Sequence, residues 1–423
     1  MTIEVKLANT IADPRAYGAL KPVDDAFTQL RRDNPFDIAE PDGYDPFWVA
    51  CKHADILTIE RQADLFHNGD RSNNLLAKDA IKMARAFSGG ESNIFRMLVT
   101  VDGAEHRALR AVTFPAFTAK ALQGVADDVR KIAREFVELM LNIGPECDFA
   151  RDIAFLYPLR VVMQILGVPR EDQPQILKLT QQLFSNSDPD LNRSGTDVTP
   201  AQAMAAINAV MHDLEAYFGV VTQKLRAQPA ENINSLIANA RIDGQYLTHR
   251  QLMGYYILVA TAGHDTTSNT TAAALWALAE RPEVLAQIKA DPAQMNGFVE
   301  ESIRWATPVK TFMRSATADT ELRGRKIAKG DWILLSYHSA NRDEEVFENP
   351  FDFDIKRKPN KQIAFGSGPH VCLGQHLARM EMRILWEELL PRLKSLELAG
   401  EAKWTKSVFV VGPKTVPVRY AVN

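Results

Sequence analysis

"FGSGPHVCLGQHLARMEMR", residues 365–383, places Cys372 at the end of a glycine-rich loop, in a chain with only three cysteines. Gly366, Gly368 and Gly374 crowd into that loop, and glycine permits backbone conformations and close approaches that other residues avoid. Directly after it, Leu377, Met380, Ile384 and Leu385 recur at helical spacing. A cysteine held where a helix begins gains from the positive end of the helix dipole, which favours thiolate over thiol. A thiolate is a nucleophile, a metal ligand or an iron ligand, and this stretch alone leaves the three open.

Composition narrows the field. The chain has 423 residues, 46% of them hydrophobic, enough for a sizeable core. Its net charge of -4 and pI near 6.2 offer no basic stripe of the kind nucleic acid requires. Cys51, Cys147 and Cys372 are far apart, a sparse and odd set that suits a reducing compartment, not a disulfide framework. The start, "MTIEVKLANTIADPRAYG", lacks an apolar run after a basic segment, so no signal peptide is expected. The longest apolar run, residues 252–263, is well short of the about 20 residues that span a bilayer. A cytoplasmic protein is expected.

Along the chain there is no internal repeat and no low-complexity linker, so 1–423 reads as one domain. A β-rich part is expected near 1–60, where prolines and short pieces such as "FWVAC" read as turns and strands. Further strands are expected at 314–336, with turns at Arg323-Gly324 and Lys329-Gly330, and at 404–423, around Gly412-Pro413. Residues 105–300 and 337–400 read as mostly helical. The polar stretch 185–200 reads as a loop able to move.

Thr248 to Glu280 reads as one long helix, opened by a capping box of Thr248 and Gln251 and closed before Pro282. Its middle, "AGHDTT" at 262–267, is built of poor helix-interior residues. Threonine hydroxyls can bond back to the preceding turn and bend a helix. The segment reads either as a simple kink with Asp265 solvated, or as a carboxylate and a hydroxyl set side by side in an apolar pocket to relay protons. Glu301 and Arg304 are spaced to share a helix face, as are His106 and Arg110. His106, Arg110, Arg314 and His370 would together suit carboxylates if they converge.

Taken together, these residues resemble the cytochrome P-450 monooxygenases over essentially the whole chain, with the motifs in the family's order. The family's loop Phe-Gly-x-Gly-x-His-x-Cys-x-Gly falls at Phe365, Gly366, Gly368, His370, Cys372 and Gly374; "AGHDTT" matches its oxygen-activation motif; Glu301 and Arg304 match its Glu-x-x-Arg pair, and residues 340–357 match the segment between. Within the family the chain is similar to the soluble bacterial camphor- and terpineol-oxidising group, through "GYDPFWVACKHADI", "TPVKTFMR" and "CLGQHLARMEM". The resemblance implies a mainly α fold with minor β, a long central helix over the haem and small sheets. It implies haem b, with Cys372 as the thiolate ligand to iron, Phe365 in the ligand loop, and His106, Arg110, Arg314 and His370 paired with the propionates. Asp265 and Thr266 would relay protons during oxygen activation, and Gly263 would let the helix approach the haem. Glu301 and Arg304 would be structural.

The family's pocket segments map onto Met97, Leu98, Thr261, Ala262, Val309, Thr311, Phe312, Phe409 and Val410. This mostly apolar lining suits a small hydrophobic substrate held by shape, a monoterpenoid such as terpineol or an aromatic or alkyl-aromatic hydrocarbon. Electrons would come from an iron–sulfur ferredoxin and its NAD(P)H-dependent reductase, with Arg107, Arg110, Arg379 and Arg383 as candidates for a docking patch. No nucleic acid and no membrane partner is implied. A peroxide-driven peroxygenase and a non-catalytic haem sensor are the competing readings, both weakened by the Asp265–Thr266 pair. Cys372 as a hydrolase nucleophile lacks a base and an orienting group.

Overall fold

A computed structural model describes residues 2–93, 95–184 and 200–423. The loop expected at 185–200 lies, but for Pro200, outside the described residues.

Residues 1–60 hold more helix than their prolines suggested. Helices α1 (Val5–Ala12), α2 (Pro14–Ala19) and α3 (Lys21–Asp33) precede the first strand, and α4 (His53–Arg61) follows the second. Pro14 and Pro22 sit in the first turns of α2 and α3. An N–H there has no intrahelical acceptor, so proline starts these helices where it was read as a turn. Asp13 caps α2 through the N–H of Arg15.

Strands β1 (Phe36–Ala39), β2 (Phe47–Ala50), β3 (Phe66–His67), β4 (Thr311–Ala316) and β5 (Trp332–Ser336) form one sheet in the order β1-β2-β5-β4-β3. β5 runs parallel to β2 and antiparallel to β4. Between β4 and β5 a hairpin turns at Arg323 and Gly324, both with positive φ, as the turn signal predicted. At the end of the chain, Lys403–Trp404 pairs with Pro413–Thr415, and Pro417–Val422 lies between Leu393–Leu398 and Glu146–Asp148.

The helical part builds the site. It includes α5 (Gly103–Thr113), α6 (Ala126–Ile143), α7 (Tyr157–Leu166), α8 (His249–Ala262), α9 (Asp265–Glu280), α10 (Met295–Ala306) and α11 (Gln375–Leu389). Their apolar faces share the largest hydrophobic cluster, which includes Leu109, Tyr157, Val162, Tyr256, Leu275, Phe298 and Trp386. A second cluster joins α1–α3 to one face of the sheet, and a third joins α4 to the other. The result is a mainly α fold with small sheets, as expected. No helix among the described residues is long and apolar enough to cross a membrane.

The helix expected from Thr248 to Glu280 is two helices. The capping box forms at Thr248 and Gln251, but α8 ends at Ala262 and α9 begins at Asp265. Thr266 Oγ1 donates to the carbonyl of Ala262 at 2.9 Å across the break, a back-bond of the kind that can bend a helix. Gly263 sits in the turn between the two helices. A Cβ there would lie 2.8 Å from Val162 Cγ2, so the glycine lets the turn press on α7.

Candidate active site

Cys372 sits one turn before α11. Its N–H donates to the carbonyl of Phe365 at 2.9 Å, closing the loop on itself. Gly366 and Gly368 both have positive φ, near 69° and 68°. A Cβ on Gly368 would lie 2.3 Å from the Glu60 carbonyl oxygen, and one on Gly366 3.1 Å from Glu60 Oε1. Those two glycines seat the loop against the end of α4. Gly374 differs: its φ is ordinary and nothing stands within 4 Å of its missing Cβ. The Cys372 side chain is exposed, whereas Cys51 and Cys147 are buried.

Burial in the surrounding protein raises the Cys372 thiol above its ordinary pKa, against the pull of the Gly374 N–H, the cations Arg110 and Arg379, and the Gln375 N–H. The N–H groups of the helix start pull towards thiolate, in the direction the dipole predicts, and desolvation outweighs them. A bound cation would make the thiolate, since coordination deprotonates a thiol outright. Arg379 is half-buried and fixed by Glu300 at 2.5 Å, with its guanidinium 4.4 Å from the centre of the Phe365 ring.

The four residues expected to meet carboxylates do converge. His106, on α5, stacks on His370 with ring centres 3.9 Å apart. Asp102, one turn before His106, lies 3.4 Å from His370 Nε2 and accepts from the N–H groups of Asn68 and Gly69. Arg314, on β4, is buried and paired with Glu60 at 3.3 Å. Glu60 also accepts from the Tyr337 hydroxyl, yet its Oε2 has no partner in the structure, and burial pushes the carboxyl above its usual range. Arg110 is half-buried with no carboxylate partner among the described residues. Burial, His370 and Arg110 lower the His106 pKa to about 4; burial, Arg314 and Arg110 lower that of His370 against the opposing pull of Asp102. The site gathers two histidines and two arginines, with Glu60 beside Arg314, Asp102 beside His370, and Arg110 without a carboxylate among the described residues.

The α8–α9 turn carries the remaining expected residues. Ala262 is exposed, Gly263, Asp265 and Thr266 are half-buried, and His264 is fully buried. Burial raises the Asp265 carboxyl, and His264 partly offsets this. His264 Nε2 stands 2.7 Å from the Phe155 carbonyl.

Among the expected pocket residues, one group is drawn together. Val309 bridges to Val410, and the Phe312 and Phe409 rings meet at 5.2 Å. Thr311 and Thr261 are buried and spend their hydroxyls on the carbonyls of Val408 and Ile257, so neither offers a polar contact. Met97 is half-buried beside the more deeply buried Leu98. Two surface recesses, one lined by Asp70, Glu91 and Arg96 and the other by Glu283, Lys356 and Arg357, include neither Cys372 nor Thr266.

Sequence reasoning missed Glu60, Asp102 and His264. Asp102 was in reach, being an acid one turn ahead of His106. His264 lay inside a quoted motif, where attention went to its neighbours. Nothing in the sequence ties Glu60 to a loop some 300 residues away.

The Glu301–Arg304 pair is fully buried and bidentate, at 2.8 and 2.6 Å. Arg304 also donates to the carbonyls of Asn341, Pro350 and Asp352, and Glu301 accepts from Asp354 N–H and Asn360. The pair ties α10 to the segment that leads into the cysteine loop.

An exposed cysteine ahead of a helix, a cluster of histidines and arginines, and an interrupted helix with an acid and a hydroxyl make up the candidate site of this mainly α fold. The chain belongs to the cytochrome P450 family, whose model matches residues 77–418. It is 43% identical over 423 residues to "Cytochrome P450-terp" of a Pseudomonas species, covering 99% of this chain and 98% of that protein. The crystal structure of CYP108D1 from Novosphingobium aromaticivorans is similar over the full length of both chains, with 40% identity and a TM-score of 0.92. A Mycobacterium marinum cytochrome P450, CYP268A2, solved in complex with pseudoionone, has 28% identity and a TM-score of 0.86 over 96% of this chain and 97% of that one. The protein is a haem-thiolate monooxygenase that hydroxylates small hydrophobic substrates with O2. Family membership implies haem b, and the residues present fit it: an exposed thiol, open space at Gly374, and Arg110 with no carboxylate partner among the described residues.

Proposed function

We propose that the chain, acting as one domain, hydroxylates a compact hydrocarbon of the monoterpenoid class such as terpineol, with electrons supplied by a ferredoxin. An aromatic or alkyl-aromatic hydrocarbon is the alternative substrate. In this reading Cys372 holds the iron, and the cluster of His106, Arg110, Arg314 and His370 holds the propionates. That cluster carries the reading: it gathers two histidines and two arginines, Arg110 has no carboxylate partner among the described residues, and buried carboxylates need such partners. Bound haem supplies the activation of O2 and the oxidation of a C–H bond, with one oxygen atom entering the product and the other leaving as water.

The chain's own residues then have separate tasks. Phe365 and the N–H groups of Gly374 and Gln375 fix the position of the sulfur. Asp265, raised above the usual carboxylate range by burial, holds a proton nearer neutral pH than a surface aspartate does. Thr266 places its hydroxyl in the same turn. Val309, Phe312, Phe409 and Val410 wall the substrate and exclude water. Of the candidate docking arginines, Arg107 is exposed, whereas Arg379 and Arg383 are engaged with Glu300 and Glu387. Arg107 is thus the first to test for a ferredoxin surface. The retained Asp265–Thr266 pair favours oxygen over peroxide as oxidant.

The test is an optical titration of the purified ferric protein with monoterpene alcohols, camphor-like bicyclics, alkylbenzenes and fused aromatics. A near-complete shift of the Soret band with terpineol or a close relative is expected. A shift with aromatics alone overturns the terpenoid class and leaves the chemistry standing.

A further inference from the structure

His264 is fully buried between two elements, and its two ring nitrogens face unlike atoms. Nε2 lies 2.7 Å from the carbonyl of Phe155, the residue that ends the π-helical turn Ala150–Ala154. A carbonyl only accepts, so this contact fixes the imidazole as the Nε2–H tautomer. In a neutral ring that leaves Nδ1 a bare acceptor. Nδ1 is buried without a hydrogen bond, and the atom beside it is Asp265 Oδ1 at 3.2 Å. Two bare acceptors at that distance repel, and a buried polar atom without a partner is unfavourable. One proton between them removes both penalties, whether it rests on the carboxyl or on the ring.

We propose that His264 and Asp265 hold one proton in common, which makes His264 the positioning residue for the Asp265 carboxyl. This rests on the relay reading of Asp265 given above and deepens it. When the carboxyl gives up the shared proton towards Thr266, the pair is left as a carboxylate facing a bare nitrogen. That arrangement draws a proton back from water, and the pair returns to its starting charge. Other ionisable groups on the packed elements are occupied or turned away. Asp152 accepts from the Asp148 N–H, Arg160 of α7 donates to Gln173, Arg151 is exposed, and Glu381 of α11 contacts Thr267. His264 is the ionisable side chain that faces the Asp265 carboxyl, at 3.2 Å.

The geometry also separates anchoring from proton holding. In His264→Gln the amide N–H2 can still donate to Phe155, but nothing occupies the Nδ1 position. The first measurement is proton and nitrogen NMR of histidine-labelled holoenzyme in the diamagnetic ferrous carbon monoxide state. We expect an Nε2–H ring with an exchange-protected, downfield bridging proton at Nδ1 near neutral pH, absent in Asp265→Asn and in His264→Gln. A ring protonated at Nδ1 and bare at Nε2, or no bridging proton, overturns the proposal, and this arm needs only wild type and Asp265→Asn to fold. The second measurement is product formed per O2 consumed across pH. We expect His264→Gln to bind substrate as wild type does but to lose coupling several-fold and to shift the pH profile. Unchanged coupling and profile in His264→Gln, with Asp265→Asn impaired, leaves the relay and overturns the role of His264. A bridging proton with Asp265→Asn fully active keeps the pairing and overturns the relay.

Discussion

At the scale of single residues, the glycines of the cysteine loop do different work, and substitution separates them. Gly368 has a φ near 68° and no room for a side chain against Glu60. Gly368→Ala is expected to lose at least about 1–2 kcal/mol from the left-handed conformation alone, with the clash adding to it; a urea unfolding curve reads this. Gly374 has ordinary φ and open space. Gly374→Ala is expected to leave the unfolding midpoint of the haem-free chain within about 0.5 kcal/mol while lowering haem occupancy, measured from the Soret-to-protein absorbance ratio. Thr266→Ala removes the hydroxyl that bonds back to Ala262 across the helix break. It is expected to lower product per O2 several-fold with the substrate-induced spectral shift intact. Cys372 and Thr266 were legible because their neighbours form long patterns. Glu60 was not, because a carboxylate wedged under a loop leaves no local trace in sequence.

Elements are held in register by buried polar ties as much as by apolar faces. Arg304 on α10 serves Glu301 and three backbone carbonyls of the segment leading to the cysteine loop. Removing one partner of a buried pair strands the other, so Arg304→Met is expected to destabilise by about 3–5 kcal/mol. Loss of haem in step with loss of fold, followed by absorbance and circular dichroism in the same urea series, checks it. The i, i+3 spacing was legible; its carbonyl partners, 37 to 48 residues on, were not. Helix boundaries were less legible. Prolines opened α2 and α3, a use of the residue that its average propensity does not describe, and the long helix broke at Gly263 and His264.

Across the whole molecule, charge inside the protein sets how stability varies with pH. His338 is fully buried between Asp24 of α3 and the amine of Lys310, at 2.7 and 3.3 Å. Burial, Arg342 and Lys310 together lower its pKa to about 3, against the pull of Asp24. The folded protein thus binds fewer protons here than the unfolded chain below the ordinary histidine pKa of about 6.5. The stability His338 contributes is complete above that value and is lost as pH falls towards about 3. Glu60, Asp265 and Glu381, raised by burial, act in the opposite sense, so the difference between two proteins is the measurement. Between pH 7.5 and 5, His338→Phe is expected to lose stability less steeply than wild type, by up to about 1.4 kcal/mol per pH unit below 6.5, read from urea midpoints. The mainly α architecture was legible in the sequence, since motif order fixes it. The joining of residues 1–60 to the far end of the chain was not. A second long-range joining holds the segments proposed above as the substrate wall. Val309 bridges to Val410, the Lys310 N–H donates to Phe409, the Val411 N–H donates to Pro308, and the Thr311 hydroxyl donates to Val408. Two segments about a hundred residues apart are thus stitched into a single panel. A panel without a hinge cannot swing to admit a bulkier guest, so widening on this side has to come from trimming Phe312 or Phe409, and trimming either loosens the other.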